Sequence, residues 1–247
     1  GNNILIGHRA GDTITTGNLN VMVGDGAGGN AAVDTAGATL IGYNAGSGVS
    51  GSSMTIIGSG AGGSVNSASA TVIVGSDAGR NITGSNNIIL GHSAVADGAG
   101  DASDIIAIGK SALEKVTTGD SNIGIGTSAL GVLTDGEKNV AIGDSALRTN
   151  VGGDYNTAIG VNALRYLSAS ATHENVAVGY NAMRGDGGGF TGLYNTAVGT
   201  YAMENPTTAS YNTVMGRSAG VNMTTALESV IIGYTAGNAL TTGNYNT

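Results

Sequence analysis

The chain has 247 residues, of which 45 are Gly, one is Pro, one is Phe and none is Cys or Trp; 11% are charged and the net charge is −8. That composition excludes a core built on large aromatics, disulfide bridges, and the Pro-rich collagen pattern with Gly at every third residue. The nine Lys and Arg form no basic stripe to neutralise phosphates, so no nucleic-acid partner is expected.

The first predicted element is a short strand, Asn3-Ile4-Leu5-Ile6, closed by Gly7. The same unit then returns along the whole chain. Gly24, Gly42, Gly58, Gly75, Gly91, Gly109, Gly126, Gly143, Gly160, Gly179, Gly199, Gly216 and Gly233 each follow a short apolar run, at intervals of 16 to 20 residues and most often 17. A fixed period of this kind is the signature of a solenoid. Counting from these anchor glycines, position −1 is always aliphatic, from Ile6 and Val23 to Ile232. Position −2 is small or apolar, and position −3 is always Ile, Val or Thr. Position −4 is Asn in nine of the fourteen repeats, among them Asn3, Asn87, Asn139, Asn156 and Asn212.

The run reads as a parallel strand of four or five residues, favoured by its β-branched side chains. Both faces of it are apolar, which predicts burial on two sides. One face lines the coil interior. The other needs a partner, and an identical chain is the simplest one. Stacked coils would also bring the Asn residues one above another, where their side chains can bond along the stack.

Beyond each anchor, Ala stands three residues on in every repeat, from Ala10 to Ala236. Leu, Met or Gly usually follows it, as at Leu113, Leu147, Met183 and Gly220. Thr-Thr-Gly at 15–17, 117–119 and 241–243 marks a second turn that closes the coil. Residues 111–116 read equally well as a turn or as one turn of helix. The predicted architecture is all-β: a parallel β-roll or β-solenoid of about 14 coils of ~17 residues, forming one repeat domain over 1–247 and packed as a homotrimer. Gly1 falls partway through a repeat, so the chain is expected to be a segment of a longer fibrous protein. No apolar run approaches the roughly 18 residues of a membrane helix, so no membrane insertion is expected.

Asn-Thr-Ala-Ile-Gly-Val-Asn-Ala-Leu at 156–164 and Asn-Thr-Ala-Val-Gly-Thr-Tyr-Ala-Met at 195–203 resemble the head repeats of trimeric autotransporter adhesins, and more closely similar repeats of bacteriophage tail fibres. The resemblance covers essentially the whole chain. It implies a left-handed parallel β-roll in which three chains wind side by side, and it implies no ligand residues. The coils here are slightly longer than those of the adhesin heads, and no heptads of a stalk are present. Both departures favour the tail-fibre reading, with a place in the virion, over a head domain at a bacterial surface.

Candidate functional residues lie where the pattern is broken or decorated. Eight of the nine tyrosines fall from Tyr155 onward. Tyr155, Tyr194 and Tyr211 precede the strands and are expected to form a surface ladder. Tyr166, Tyr180, Tyr201 and Phe190 join them as candidate contacts for a host cell-surface glycan or protein, since aromatic side chains offer large amphipathic area. The same property could simply cover stacked backbone. The longest coils, 160–179 and 179–199, carry Tyr166 and Phe190 in their insertions, and insertions in solenoids map to one face. Asp97, Asp101 and Asp104, with Asp25 and Asp186, make oxygen-rich loops of the kind that can hold Ca²⁺, but EF-hand and RTX spacings are absent and no cofactor is expected. His8 and His92 share position +1 with Tyr43, Tyr180, Tyr234, Lys110 and Arg217, a tolerance that predicts exposure rather than a metal site. No Ser, His and Asp can be assigned to a catalytic triad, while paired carboxylates for glycoside cleavage stay open among the exposed turns, so a polysaccharide-degrading spike is a further, less favoured alternative. The function expected is non-enzymatic: a structural and host-recognition segment. A self-assembling extracellular fibre is the alternative, because open solenoid ends expose strand edges.

Overall fold

The computed structural model describes residues 1–30, 35–65, 68–98, 100–168 and 173–247. The chain divides into two compact units, Gly1–Ser121 and Asn122–Thr247. The first holds β1 to β7 (Ile4–Ile6, Val21–Val23, Thr39–Ile41, Thr55–Ile57, Val72–Val74, Ile88–Leu90 and Ile106–Ile108). The second holds β8 to β14 (Ile123–Ile125, Val140–Ile142, Thr157–Ile159, Val176–Val178, Thr196–Val198, Thr213–Met215 and Val230–Ile232). Within each unit the strands pair in parallel, in sequence order, and in a register that sets each repeat position on its equivalent. The β-solenoid expected from the period is the fold observed. Among the described residues no helix forms; Ser111 and Leu113, with φ of 54° and 49°, make 111–116 a turn.

Each strand is three residues long, not four or five. The reason lies at position −5, which is left-handed in repeat after repeat: Lys138 at φ 56°, Tyr155 at 57°, Glu174 at 58° and Tyr211 at 61°. That corner takes position −4 out of the strand. The Asn there then joins the coils through its side chain. In the second unit Asn122, Asn139, Asn156, Asn175, Asn195 and Asn212 form an unbroken column, all fully buried or nearly so. The Oδ1 of each accepts the backbone N–H of the next, at 2.9 Å from Asn139 to Asn122 and 3.1 Å from Asn212 to Asn195. The Nδ2 of Asn139, Asn195 and Asn212 donates to the closing-turn carbonyls of Gly153, Ala209 and Ala226 in the following coil, each at 2.8 Å. The expected ladder is thus present. It also pins the far turn of each neighbour.

Asn195→Ala orphans the Asn212 N–H and the Ala209 carbonyl in a dry site, and is expected to lower unfolding free energy by about 2–3 kcal/mol in urea melts. Asn195→Asp should lose more at neutral pH, because its carboxylate faces the Ala209 and Leu193 carbonyls. A buried acid of this kind binds its proton more tightly when folded than when unfolded. Stability should therefore fall as pH rises and recover in acid. A melt for Asn195→Asp that does not depend on pH would contradict this account.

The core is set by position −2, the middle strand residue, which faces inward and is fully buried from β2 through β13. Its size is matched inside the same coil by position +4, except in the β6 coil, where Ile89 and Val95 are both buried. Where the strand residue is large, at Met22, Leu40, Ile56, Ile73, Val214 and Ile231, position +4 is Gly28, Gly46, Gly62, Gly79, Gly220 and Gly237. A Cβ on Gly46 would stand 2.9 Å from Leu40 Cδ2, and one on Gly62 2.8 Å from Ile56 Cδ1. Where the strand residue is small, at Ala107, Gly124, Ala141, Ala158, Ala177 and Ala197, position +4 is Leu113, Leu130, Leu147, Leu164, Met183 and Met203, all fully buried. The two walls share one volume, filled from either side to the close packing of protein interiors.

Positions −3 and −1 point outward. They are half-buried along the middle of each ladder, and Ile41, Val72, Ile88, Ile142, Ile159 and Met215 are exposed. Of the two apolar faces read from the sequence, one is the core and the other remains partly open to solvent in the single chain.

Candidate functional site

The aromatic residues grouped by the sequence divide into two surfaces and one core residue. The first surface is the position −5 corner of the second unit. Lys138, Tyr155, Glu174, Tyr194, Tyr211, Glu228 and Tyr245 stand one above another there, because each backbone N–H after the first donates to position −6 of the coil before, as from Tyr155 to the Glu137 carbonyl at 3.1 Å and from Tyr211 to the Leu193 carbonyl at 3.0 Å. Tyr194 and Tyr211 stack with centroids 5.1 Å apart and planes 16° from parallel. Each covers a face of the other, leaving rims and hydroxyls outward. Lys138 lies 5.1 Å over the Tyr155 ring and donates to its hydroxyl at 3.1 Å. That hydrogen bond and the charge of Tyr155, then Glu137, hold the Lys138 ammonium above its ordinary pKa. The expected surface ladder is present, interleaved with charges.

The second surface lies on the other side of the anchor turn, where position +2 stands beside position +5. Tyr180 and Tyr201 pack edge to face, centroids 5.4 Å apart at 88°. Asn162, Asn181 and Glu204 adjoin them. Asn162 Nδ2 donates to Asn181 Oδ1 at 3.1 Å, and Asn181 Nδ2 donates to Glu204 Oε1 at 3.3 Å. Arg165 donates to Asn162 Oδ1 at 3.2 Å and lies 4.9 Å over the Tyr166 ring. Arg184 Nε faces Glu204 Oε1 at 3.4 Å. This network escaped a reading along the chain, since its members are about 19 residues apart. Aligning repeats by column would have found it: position +5 is Arg in three successive coils, at Arg148, Arg165 and Arg184.

Phe190 belongs to neither surface. It is fully buried, bridges Leu167 in parallel, and donates its N–H to the Tyr166 carbonyl at 2.8 Å. Its ring lies against Gly192 and fills the wider interior of the longest coil. An exposed contact role for Phe190 is therefore corrected to a core role.

Position +1 is exposed at His8, whose Nδ1 lies 3.3 Å from Asp25 Oδ1. His8, Asp25 and Tyr43 line a polar groove of about 340 Å³ in the first unit. His173 Nδ1 accepts the Asp154 N–H at 3.0 Å. Of the acidic loop residues, Asp104 accepts from Asn86 Nδ2 at 3.2 Å. Among the described residues no group of three His, Cys, Asp or Glu side chains could hold a metal ion, and no helix is long and apolar enough to cross a membrane. Comparison with protein families, with curated proteins and with solved structures finds no match to this chain.

Proposed function

We propose that this chain is a non-enzymatic structural and host-recognition segment of a bacteriophage tail fibre, acting as a homotrimer that displays its decorated corners to a host cell-surface glycan or protein. The observation that carries the reading is the outward strand face. Positions −3 and −1 place two β-branched or apolar side chains on every coil, and several remain exposed in the single chain, such as Ile142 at 37% and Ile159 at 39%. Apolar side chains left exposed at the same positions of successive coils within a unit support an interaction site on this face. A second and third copy presenting the same ladder would cover it rung for rung, as closed symmetry requires. The recognition half of the reading is supported by the two tyrosine surfaces. Repeated threefold, they would bind with the avidity of linked weak sites.

Sedimentation equilibrium is the test. The expected mass is three times the 24.0 kDa of one chain. Ile142→Glu together with Ile159→Glu is expected to shift it to one chain while the far-UV spectrum keeps its β signature. A wild-type chain that is folded and monomeric at micromolar concentration would end the homotrimer reading.

A further inference from the structure

We propose that the Arg148–Arg165–Arg184 column, with Asn162 and Asn181, binds a carboxylate-bearing saccharide, with Arg165 as the principal anion contact. The inference rests on the recognition reading above and names the ligand class for its second surface.

Three of the nine cations of a chain with net charge −8 occupy one position in successive coils. The column is fixed by the backbone: Val132 N–H donates to the Arg148 carbonyl, Thr149 N–H to that of Arg165, and Tyr166 N–H to that of Arg184. Coils in such a ladder are about 4.8 Å apart. Like charges held directly opposite one another at that distance destabilise a sheet unless something neutralises them. Only one of the three is neutralised from within. Glu204, in the coil after Arg184, brings Oε1 to 3.4 Å from Arg184 Nε and accepts from Asn181 Nδ2 at 3.3 Å. An Asn at position +2 and an Arg at position +5 thus clamp a carboxylate lying in the next coil.

One coil earlier the clamp repeats without its carboxylate. Asn162 and Arg165 are bonded to each other at 3.2 Å, and the position that Glu204 fills for Arg184 is occupied here by Arg184 itself. Arg165 and Arg148 form no ion pair among the described residues. The Nε atoms of Arg165 and Arg184 are both enclosed and without a hydrogen-bond partner, and the Arg165 guanidinium is kept in place by Asn162 and the Tyr166 ring. An external carboxylate would give Arg165 the kind of ion pair that Glu204 gives Arg184 at 3.4 Å. Tyr166 and the edge-to-face pair of Tyr180 and Tyr201 flank the clamp and would meet the sugar ring.

The test is calorimetric titration of the full chain with oligogalacturonate, oligoglucuronate and oligosialate, each against its methyl ester as the neutral control. At least one acid is expected to bind, with affinity falling as salt rises, and its ester is expected to bind at least about tenfold more weakly. Arg165→Gln should lower affinity by about tenfold or more while the melting curve stays that of the wild type. Arg148→Gln, at an exposed position, should weaken binding less, and it serves as the second variant if Arg165→Gln does not fold. Equal binding of acid and ester, or binding unchanged in a folded Arg165 variant, overturns the inference and leaves the recognition reading standing. If no saccharide of either kind binds, the inference falls, and the recognition reading must then rest on a protein receptor.

Discussion

Ala141→Leu and Leu147→Gly, each destabilising alone, should restore most of the lost stability when combined. The two side chains come from opposite walls of one coil and share its interior; both are fully buried. Leu147→Gly empties that volume. It is expected to cost about 2–4 kcal/mol, because cavity formation outweighs the relief of a left-handed Leu at φ 50°. Ala141→Leu forces a branched side chain against Leu147 and should cost about 1–3 kcal/mol by overpacking. Together they recreate the pairing of Leu40 with Gly46 found in another coil, and the double variant should lie within about 1 kcal/mol of the wild type. Urea melts of the four proteins measure the coupling directly. Simple addition of the two losses would show that the walls do not share space.

The second large effect is expected at the anchors. Gly143 has φ 134°, which disfavours any side chain, and a Cβ there would stand 2.6 Å from the carbonyl oxygen of Gly160 in the next coil. Backbone strain and this close approach act together, so Gly143→Ala should cost about 3–5 kcal/mol. Gly233 has nearly the same φ, 132°, but a Cβ there would meet only Ala236 Cβ at 3.5 Å. Gly233→Ala should therefore show the strain alone, about 1–3 kcal/mol. The difference between the two melts measures the inter-coil contact. Equal losses would assign the whole effect to φ. Because stability in stacked repeats is largely a sum of neighbour terms, amide exchange in Gly143→Ala should quicken first at the flanking coils.

The anchors were legible because a single offset carries two independent demands, a glycine-only φ and a missing Cβ, and no other residue meets both. The Asn column was legible because a polar residue recurring beside a β-branched run needs a buried partner, and its own copy is the nearest one. Strand length was not legible. The left-handed corner that ends each strand is occupied by Lys138, Tyr155 and Glu174, none of which signals positive φ as glycine would. The exchange between positions −2 and +4 was hidden for another reason: each column alone reads only as apolar or small. Their complementarity shows once the coil is closed, in every coil but that of β6, where Ile89 and Val95 are both buried. The tyrosines were visible as a set but not as surfaces, since order along the chain does not separate position −5 from positions +1 and +2. Phe190 looked exposed because glycines surround it. In the structure they supply the turn that carries it inward.

The ladder bonds of each unit have a mechanical consequence. From Val140 to the Asn156 carbonyl, and from Gly143 to the Ile125 carbonyl, they run from coil to coil, across the strands. Tension that separates neighbouring coils therefore loads the three-residue strand of a single rung and not a long sheared interface. Release is stepwise. Each freed coil pays out about 17 residues, roughly 60 Å of extended chain, before the next rung takes the strain. Within one unit, such a stack yields by lengthening in small increments, so a sharp pull is absorbed as slack and the coils beyond it stay folded.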